Sequence, residues 1–233
     1  MEGRFGKIIH ASVTATVLGG LSLISCSSTR STNLTDVHDA VEWNLADLTS
    51  PGATGVTKVG DPRQIDCPYG RAVEFDGKGD ALFLDTDPLL HLHQFTIEII
   101  FRPDPNAPAE QRFLQMGEVN GERMMMETRV TPDNQWYFDA FIRSGDSSRT
   151  LVDNTKLHPT ATWHHAAFVV DRGAMETYVD GKRELQGSVQ FTPLTKGTTS
   201  IGVRMNRLYW FKGAIHKIKI TPTKLGPSDF LKF

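Results

Sequence analysis

The sequence predicts an all-β fold, an antiparallel sandwich or barrel. From residue 41 onward, short apolar runs alternate with a period of two residues, and clusters of Gly, Pro, Asp and Asn separate them. Almost no segment shows sustained helical periodicity. Such alternation with frequent turn residues is typical of antiparallel strands that bury one face. Because all-β sandwiches reach 233 residues undivided, one domain is expected.

The first part of the predicted domain contains three strands. Residues 41–45 alternate as a strand, and 50–68 are predicted to be a loop. The strands at 72–75 and 81–84 flank the segment 76–79, which reads Asp-Gly-Lys-Gly. These residues tolerate positive φ angles, so the segment predicts a hairpin turn.

The cleanest alternation lies at residues 95–102, where four aromatic or β-branched side chains point to one side. Pro103 ends this strand, since proline cannot donate to a sheet ladder. A short helical turn is expected at 227–233. Further strands are predicted at 112–116, 123–130, 136–143, 163–170, 175–179, 182–186, 199–204 and 211–220.

The predicted hairpin of strands 123–130 and 136–143 has an unusual polar face. If its tight loop is residues 132–134, Glu127 lies opposite Asp139. Two carboxylates directly across a ladder repel, which predicts a compensating arginine, metal ion or shared proton. A register shift of one residue would abolish the pairing. The polar face comprises Glu127, Arg129, Tyr137, Asp139 and Arg143, and the core face comprises Met124, Met126, Val130, Trp136, Phe138 and Ile142.

The N-terminus predicts export and a lipid anchor. Arg4 and Lys7 precede an apolar and small-residue stretch at 8–24, as in a signal peptide. Leu23-Ile24-Ser25-Cys26 resembles the lipobox of bacterial lipoproteins, with a plain secretory signal as the alternative. The expected organisation is a signal peptide at 1–25, lipidated Cys26 and a polar tether at 26–40, and the folded domain at 41–233. The expected location is the cell envelope, as an outer-membrane lipoprotein facing either the periplasm or the surface.

Cysteine content and charge narrow the expected partners. If Cys26 carries lipid, Cys67 is a lone, buried and inert thiol; otherwise a disulfide between them is an alternative. The formal net charge is −2, and no long basic run is present. Nucleic acid is therefore not an expected partner, and membrane contact is expected through the lipid anchor only.

Six segments occur in an order that resembles a known family. They are 72–77, 95–98 with 101–103, 163–170, 178–181, 201–203 and 211–215. Together they resemble the laminin-G-like domains of the concanavalin A-like lectin and glucanase superfamily in exported bacterial proteins. The resemblance covers residues 41–221 and implies a jelly-roll sandwich of two curved antiparallel sheets. It also implies that the concave face holds carbohydrate.

The resemblance makes calcium the one cofactor to consider. Relatives often bind it with carboxylates near the first and last strands, and many carry Asp-Glu where this chain has His216-Lys217. Since Ca²⁺ requires oxygen ligands, this difference argues against an inherited site. Asp76 and Asp80 remain predicted metal ligands, with turn geometry as the alternative reading.

The candidate site residues fall into two groups. Glu127, Asp139 and Tyr137 are predicted catalytic residues, because paired carboxylates cleave glycosides by retaining or inverting mechanisms according to their separation. The predicted substrate-binding residues supply groups that suit sugar hydroxyls, uronates or sulfates, and they are Arg129, Arg143, Asp146, Arg149 and His158. A solvated outer face, neutralised by Arg129, is the alternative. The paired-acid motifs of glucan-cleaving relatives are absent from the sequence.

The predicted function is a surface-anchored carbohydrate-binding module for capture or degradation of polysaccharides or oligosaccharides, including anionic ones. One alternative is a small glycan-cleaving enzyme, a glycoside hydrolase or polysaccharide lyase, that uses Glu127, Asp139 and Tyr137. A second alternative is a protein–protein adhesion or scaffold domain. Fold alone does not choose among them.

Overall fold

The computed structural model describes residues 39–232, which form two eight-stranded antiparallel sheets. The first sheet has the spatial order β14 (Lys182–Ser188), β13 (Ala174–Val179), β12 (His164–Asp171), β6 (Gln94–Pro103), β16 (Lys212–Thr221), β4 (Gly70–Asp76), β3 (Arg63–Cys67), with β1 (Val41–Asn44) also pairing with β16. The second sheet has the order β10 (Ser147–Val152), β9 (Gln135–Ser144), β8 (Arg123–Val130), β7 (Glu110–Gly117), β15 (Thr198–Ile201), β5 (Ala81–Leu84), β2 (Val56–Val59), with β11 (His158–Pro159) also pairing with β9. The predicted all-β sandwich is confirmed.

The turn at 76–79 is present but does not close the predicted hairpin, because β4 belongs to the first sheet and β5 to the second. Three further details differ from the prediction. Residues 50–68 are not a continuous loop, because β2 and β3 lie within them. Both strands are sheet edges with few buried side chains, so their apolar alternation is weak. A short helix, α1 (Leu45–Leu48), follows β1. After β9, only Gly145 and Asp146 separate it from β10, a strand that was not predicted.

The core lies between the two sheets and uses the alternation that the sequence displays. Phe95, Ile97, Ile99 and Phe101 of β6 are all buried, as predicted. The ring of Phe101 stacks on Phe113 of the second sheet, with centroids 4.9 Å apart, and meets Trp136 edge-on. Burial of such large aromatic surfaces is the main force that holds two sheets together.

The hairpin of β8 and β9 has the predicted register. Glu127 pairs with Asp139, and Arg129 pairs with Tyr137. In the turn, Thr131 N–H donates to the Gln135 carbonyl at 2.8 Å, and Asn134 adopts φ 58°. The predicted core face is also confirmed, since Met124, Met126, Val130, Trp136, Phe138 and Ile142 all belong to the hydrophobic core.

A β-bulge in β7 aligns a third strand with this hairpin. Arg112 pairs with Glu127, but the next partner, Met126, pairs with Leu114, so Phe113 is an extra residue. Phe113 and Leu114 are both fully buried in the core. The bulge therefore keeps Arg112 on the outer face while two consecutive apolar side chains point inward.

The C-terminal segment covers part of the outer face of the first sheet. The predicted helical turn is present as a 3₁₀ turn, Pro227–Asp229. Phe230 packs with Ala167, Val169 and Tyr178 in a second apolar cluster. Leu231 N–H donates to the buried carboxylate of Glu98 at 2.6 Å.

The N-terminal predictions lie outside the described residues. These are the signal peptide at 1–25, lipidated Cys26 and nearly all of the tether, so export and anchoring stay predictions. Cys67 is a free thiol and is half-buried rather than buried, because it ends the edge strand β3. Among the described residues, no helix has the length and apolar character needed to cross a membrane.

Candidate functional site

The outer face of the second sheet holds five interlocked charges, here called the carboxylate–arginine cluster: Glu110, Arg112, Glu127, Arg129 and Asp139. Arg129 contacts all three carboxylates, with Nη2 at 2.7 Å from Asp139 Oδ2 and 3.3 Å from Glu127 Oε2, and Nη1 at 2.8 Å from Glu110 Oε1. Arg112 lies 2.9 Å from both Glu127 and Glu110. The repulsion of the cross-strand carboxylate pair is thus compensated by arginine. An arginine was one of the three compensations predicted from the sequence.

The two carboxylates at the centre of the cluster are buried beneath their arginine partners. Glu127 and Asp139 are each 2% exposed, whereas the side chain of Arg129 is 22% exposed. Asp139 Oδ1 has no hydrogen-bond partner among the described residues. A ligand on this face would therefore meet the arginine and its neighbours before either carboxylate.

Burial also changes the proton affinity of the pair. It raises the pKa of Glu127 to about 7, with the charge of Asp139 adding to the effect and the two arginines opposing it. Burial also raises the pKa of Asp139, despite its hydrogen bond to Arg129. Because neighbouring carboxylates titrate together, the pair retains a proton near neutral pH. Three acids, two guanidinium groups and that proton leave the cluster close to neutral.

Aromatic side chains flank the carboxylate–arginine cluster. The ring of Tyr209 lies 3.9 Å from the guanidinium carbon of Arg112 and is held there by a hydrogen bond from Arg112 N–H to the Tyr209 carbonyl. Tyr209 has φ 64° and is 40% exposed, and its neighbour Leu208 is 53% exposed. Half-buried Tyr137 stands opposite Arg129 on the other side. The face therefore offers rings and charged groups side by side.

Further along the same face, the strands present Phe141 opposite Met125 and Arg143 opposite Arg123. Arg143 is exposed and lies four residues from Asp139, which is about 13 Å along a strand. Of the predicted site residues, Glu127, Arg129, Tyr137, Asp139 and Arg143 thus share one face. Asp146 lies beyond them in the β9–β10 turn.

Two predicted binding residues do not join this face. Arg149 pairs with core-facing Ile142 and therefore points inward, next to Gly187 of β14. His158 pairs with core-facing Trp136, stacks near its ring at 4.9 Å, and contacts Glu184 at 2.7 Å. Both residues therefore lie on the opposite side of the sheet from Arg129 and Arg143, and their role in substrate binding stays a prediction.

The predicted metal ligands serve the turn between β4 and β5. Asp76 Oδ1 accepts hydrogen bonds from three backbone N–H groups of that turn, which lower its pKa despite partial burial. Asp80 accepts from Asp61 N–H at 2.7 Å and from Asp76 N–H at 3.1 Å. Within residues 39–232, no group of three or more His, Cys, Asp or Glu is arranged to hold a metal ion. The turn-geometry alternative fits these contacts, and the metal role of Asp76 and Asp80 stays a prediction.

The sequence analysis did not assign Glu110, Arg112 or Tyr209 to the site. The alternation of Glu110 and Arg112 in β7 is a sequence signal that the two side chains share a face. Their alignment with the hairpin, however, depends on the bulge at Phe113. Tyr209 reaches the face from the loop between β15 and β16. Non-local pairings of this kind do not follow from alternation alone.

Comparison with known proteins identifies the family to which the fold belongs. The family model described as Concanavalin A-like lectin/glucanases superfamily matches residues 76–229. No curated protein matches the chain significantly by sequence.

Solved structures share this architecture at low sequence identity. Domain 4 of AbnA, a GH43 extracellular arabinanase from Geobacillus stearothermophilus in complex with arabinotriose, is 21% identical, with a TM-score of 0.57 over 82% of this chain and 94% of that domain. The Ruminococcus gnavus IT-sialidase CBM40 bound to α2,3-sialyllactose is 15% identical, with a TM-score of 0.50 over 73% of this chain and 95% of that one.

The binding domain of botulinum neurotoxin DC in complex with SialylT is 13% identical, with a TM-score of 0.54 over 75% of this chain and 44% of that one. At such identities, these similarities establish the fold alone. The family match spans most of the chain and agrees with the two-sheet architecture. The chain belongs to the concanavalin A-like lectin/glucanases superfamily.

Proposed function

We propose that this domain binds carbohydrate on the outer face of the second sheet. The observation that carries the proposal is the exposed ring of Tyr209, held over Arg112 beside the carboxylate–arginine cluster. An aromatic ring covers the apolar face of a sugar, and forked polar groups bind its hydroxyls. A rigid sheet fixes the positions of these groups before the ligand arrives, which reduces the entropy lost on binding.

The related folds support this proposal by analogy. The arabinanase domain is described in complex with arabinotriose, and the CBM40 domain is bound to sialyllactose. A shared fold does not determine function, so the argument rests on the residues of this face.

We also propose that the domain is exported and anchored to the cell envelope by lipid at Cys26, where it captures polysaccharide. This part of the proposal rests on the sequence of residues 1–26. A lipid-anchored binding domain would hold a glycan near the cell surface for degradation by other proteins.

A glycan-cleaving enzyme, either a glycoside hydrolase or a polysaccharide lyase, is the second candidate. Glu127, with a pKa of about 7 next to Asp139, has the proton affinity of a general acid or base. Such a group must reach the glycosidic bond, however, and both carboxylates are buried and in contact with arginines. The geometry therefore favours binding over cleavage.

Affinity electrophoresis of the full chain, in detergent, tests the proposal. Gels would contain neutral, uronate-containing or sulfated polysaccharides. Migration should be retarded by at least one class, and Tyr209→Ala should weaken the retention about three- to tenfold, the range expected for loss of one aromatic contact. Leu157→Ala, at an exposed apolar residue of the segment between β10 and β11, is the control and should bind like wild type.

The same incubations separate the alternatives. New reducing ends or unsaturated products that disappear in Asp139→Asn would establish cleavage in place of simple binding. Absence of retention by every polysaccharide would contradict carbohydrate binding and favour the adhesion or scaffold alternative.

A further inference from the structure

One end of the same outer face gathers three arginines, here called the arginine group: Arg123, Arg143 and Arg204. Arg123 of β8 lies directly opposite Arg143 of β9. Arg204 follows β15 and approaches from the neighbouring loop. Burial lowers the pKa of Arg123, and the positive charges of Arg204 and Arg143 lower it further. Like charges directly across a ladder are destabilising, so this arrangement has a cost in the folded state.

Nearby acids do not neutralise the arginine group. In the part of the chain that the structure describes, no carboxylate oxygen lies within 4.0 Å of these three side chains. The neighbouring acids are already engaged, because Glu118 contacts Lys196 at 2.9 Å and Glu122 accepts a hydrogen bond from Gly145 N–H. The three guanidinium groups therefore have no carboxylate in direct contact among the described residues, although the charge of Glu127 acts on Arg123.

Arg123 is held rigidly while part of its guanidinium lacks a partner. Its Nη1 donates to the Gly121 carbonyl at 2.7 Å and the Asn120 carbonyl at 3.3 Å, and its guanidinium lies 5.1 Å from the Phe141 ring centre. Arg123 is only 9% exposed, yet its Nε has no hydrogen-bond partner among the described residues. The buried Nε of Arg204 also lacks one there. Unsatisfied buried donors are costly, so these two guanidinium groups lack part of the hydrogen bonding that they require.

We propose that Arg123, Arg143 and Arg204 bind the carboxylate or sulfate group of an acidic sugar unit. This inference rests on the proposed carbohydrate binding and specifies its ligand as an anionic glycan. Guanidinium groups present paired N–H donors that match both anions. Arg129, which the sequence suggested for this role, is instead held by three carboxylates.

The position of the arginine group suits a chain-like ligand. Arg123 lies four residues along β8 from Glu127, or about 13 Å. Met125 and Phe141 form the floor between them. A glycan could therefore extend along the strands, with one unit against Tyr209 and an acidic unit at the arginine group.

Binding measurements on the full chain test this inference with paired ligands. The pairs are polygalacturonate with its carboxyl-reduced form, and dextran sulfate with dextran. Arg143→Gln and Arg204→Gln should each weaken binding of the charged member about tenfold, as expected for loss of a charge-assisted hydrogen bond. Arg172→Gln is the matched control, because Arg172 is 77% exposed in the turn between β12 and β13 of the first sheet. Unfolding midpoints of all variants verify that each folds.

The outcomes separate this inference from the proposed function. Preference for one charged polymer that is lost in both arginine variants, with Arg172→Gln unchanged, supports the arginine group and identifies carboxylate or sulfate. Glycan binding that is lost in Tyr209→Ala but unaffected by the arginine variants overturns the inference and leaves carbohydrate binding intact.

If no polymer binds, carbohydrate binding fails, and titration with inorganic sulfate alone decides the inference. Sulfate binding that weakens in Arg143→Gln supports an anion site at the arginine group. If sulfate does not bind, or binds equally to Arg143→Gln, the inference is overturned.

Discussion

At the scale of single residues, Arg129 converts a repulsive carboxylate pair into an ion-pair network. Its guanidinium contacts Glu110, Glu127 and Asp139, while burial holds a proton on the pair near neutral pH. This network gives one prediction for Glu127 and one for Asp139.

Glu127 should make stability fall as pH rises. Its pKa increases from 4.5 to about 7 on folding, so between these values the folded state holds more protons than the unfolded state. Unfolding free energy therefore decreases with increasing pH across this window, by about 3 kcal/mol in total, and levels off above it. Denaturant unfolding of Glu127→Gln at about pH 5 and about pH 8 should lack most of this decrease. Glu118→Gln, at the surface, should retain it, and an unchanged decrease in Glu127→Gln would refute the account.

Asp139 should be important for stability even if the protein is not an enzyme. Asp139→Asn removes the charge that accepts two hydrogen bonds from Arg129, which should cost about 2 kcal/mol. Urea denaturation would measure the loss, with Asp146→Asn in the neighbouring turn as the control that should have little effect. Equal stability of both variants would mean that the hydrogen bonds from Arg129 to Asp139 do not stabilise the folded state.

The site could be predicted from sequence only where it is local. The pairing of Glu127 with Asp139 followed from the hairpin, because a tight turn fixes the register of adjacent strands. Arg112 and Tyr209 could not be placed, since they reach the face through a bulge and a distant loop. The orientation of Arg149 and His158 could not be predicted, because the strands β10 and β11, which set it, were not predicted.

At the scale of elements, carboxylates and short segments hold the strands together at their ends. Asp80 links the residues after β2 to the β4–β5 turn through two backbone hydrogen bonds. The C-terminal segment covers β6, β12 and β13 through Phe230 and its contacts. Both features give predictions about stability.

The role of Asp80 in the turn predicts stability that does not depend on calcium. Asp80→Ala should lower the free energy of unfolding by about 2 kcal/mol, because two backbone donors lose their acceptor. Calcium or a chelator should leave the unfolding midpoint of the wild type unchanged. Asp66→Ala, at an exposed acid of β3, is the control. A rise in midpoint with calcium that Asp80→Ala abolishes would support the metal site instead.

Phe230 should anchor the C-terminal segment. It is 4% exposed and its ring lies 5.1 Å from that of Tyr178 and 5.5 Å from that of His165. Phe230→Ala should destabilise the protein by about 3 kcal/mol through lost apolar contact. Thermal and denaturant unfolding would measure this loss against exposed Lys232→Ala, which should resemble wild type. Similar stability of the two variants would show that the segment is not anchored there.

Elements were predictable where apolar alternation is strong. β6 was placed from its buried Phe and Ile residues, and the hairpin of β8 and β9 from its tight loop, in which Asn134 adopts φ 58°. β2 and β3 were missed because edge strands bury few side chains. For such strands, pairing with a neighbour decides the structure more than their own sequence does.

At the scale of the whole molecule, a rigid two-sheet sandwich carries a charged and aromatic outer face. Many residues of the family motifs pack in the core between the sheets. The carboxylate–arginine cluster and the arginine group lie on the opposite face of the second sheet. Because loops and exposed faces vary on a common scaffold, that face is where the function of this domain is expected to reside.

Side-chain oxidative footprinting with the best-binding glycan tests the central claim most directly. Tyr209 and Tyr137, with Phe141, should be protected from modification when glycan is bound, while Tyr69 and Trp163, which lie together elsewhere, should react as in the free protein. Protection of these three residues would support carbohydrate binding on the outer face of the second sheet. Protection at Tyr69 and Trp163 with unchanged reactivity at Tyr209 would contradict it.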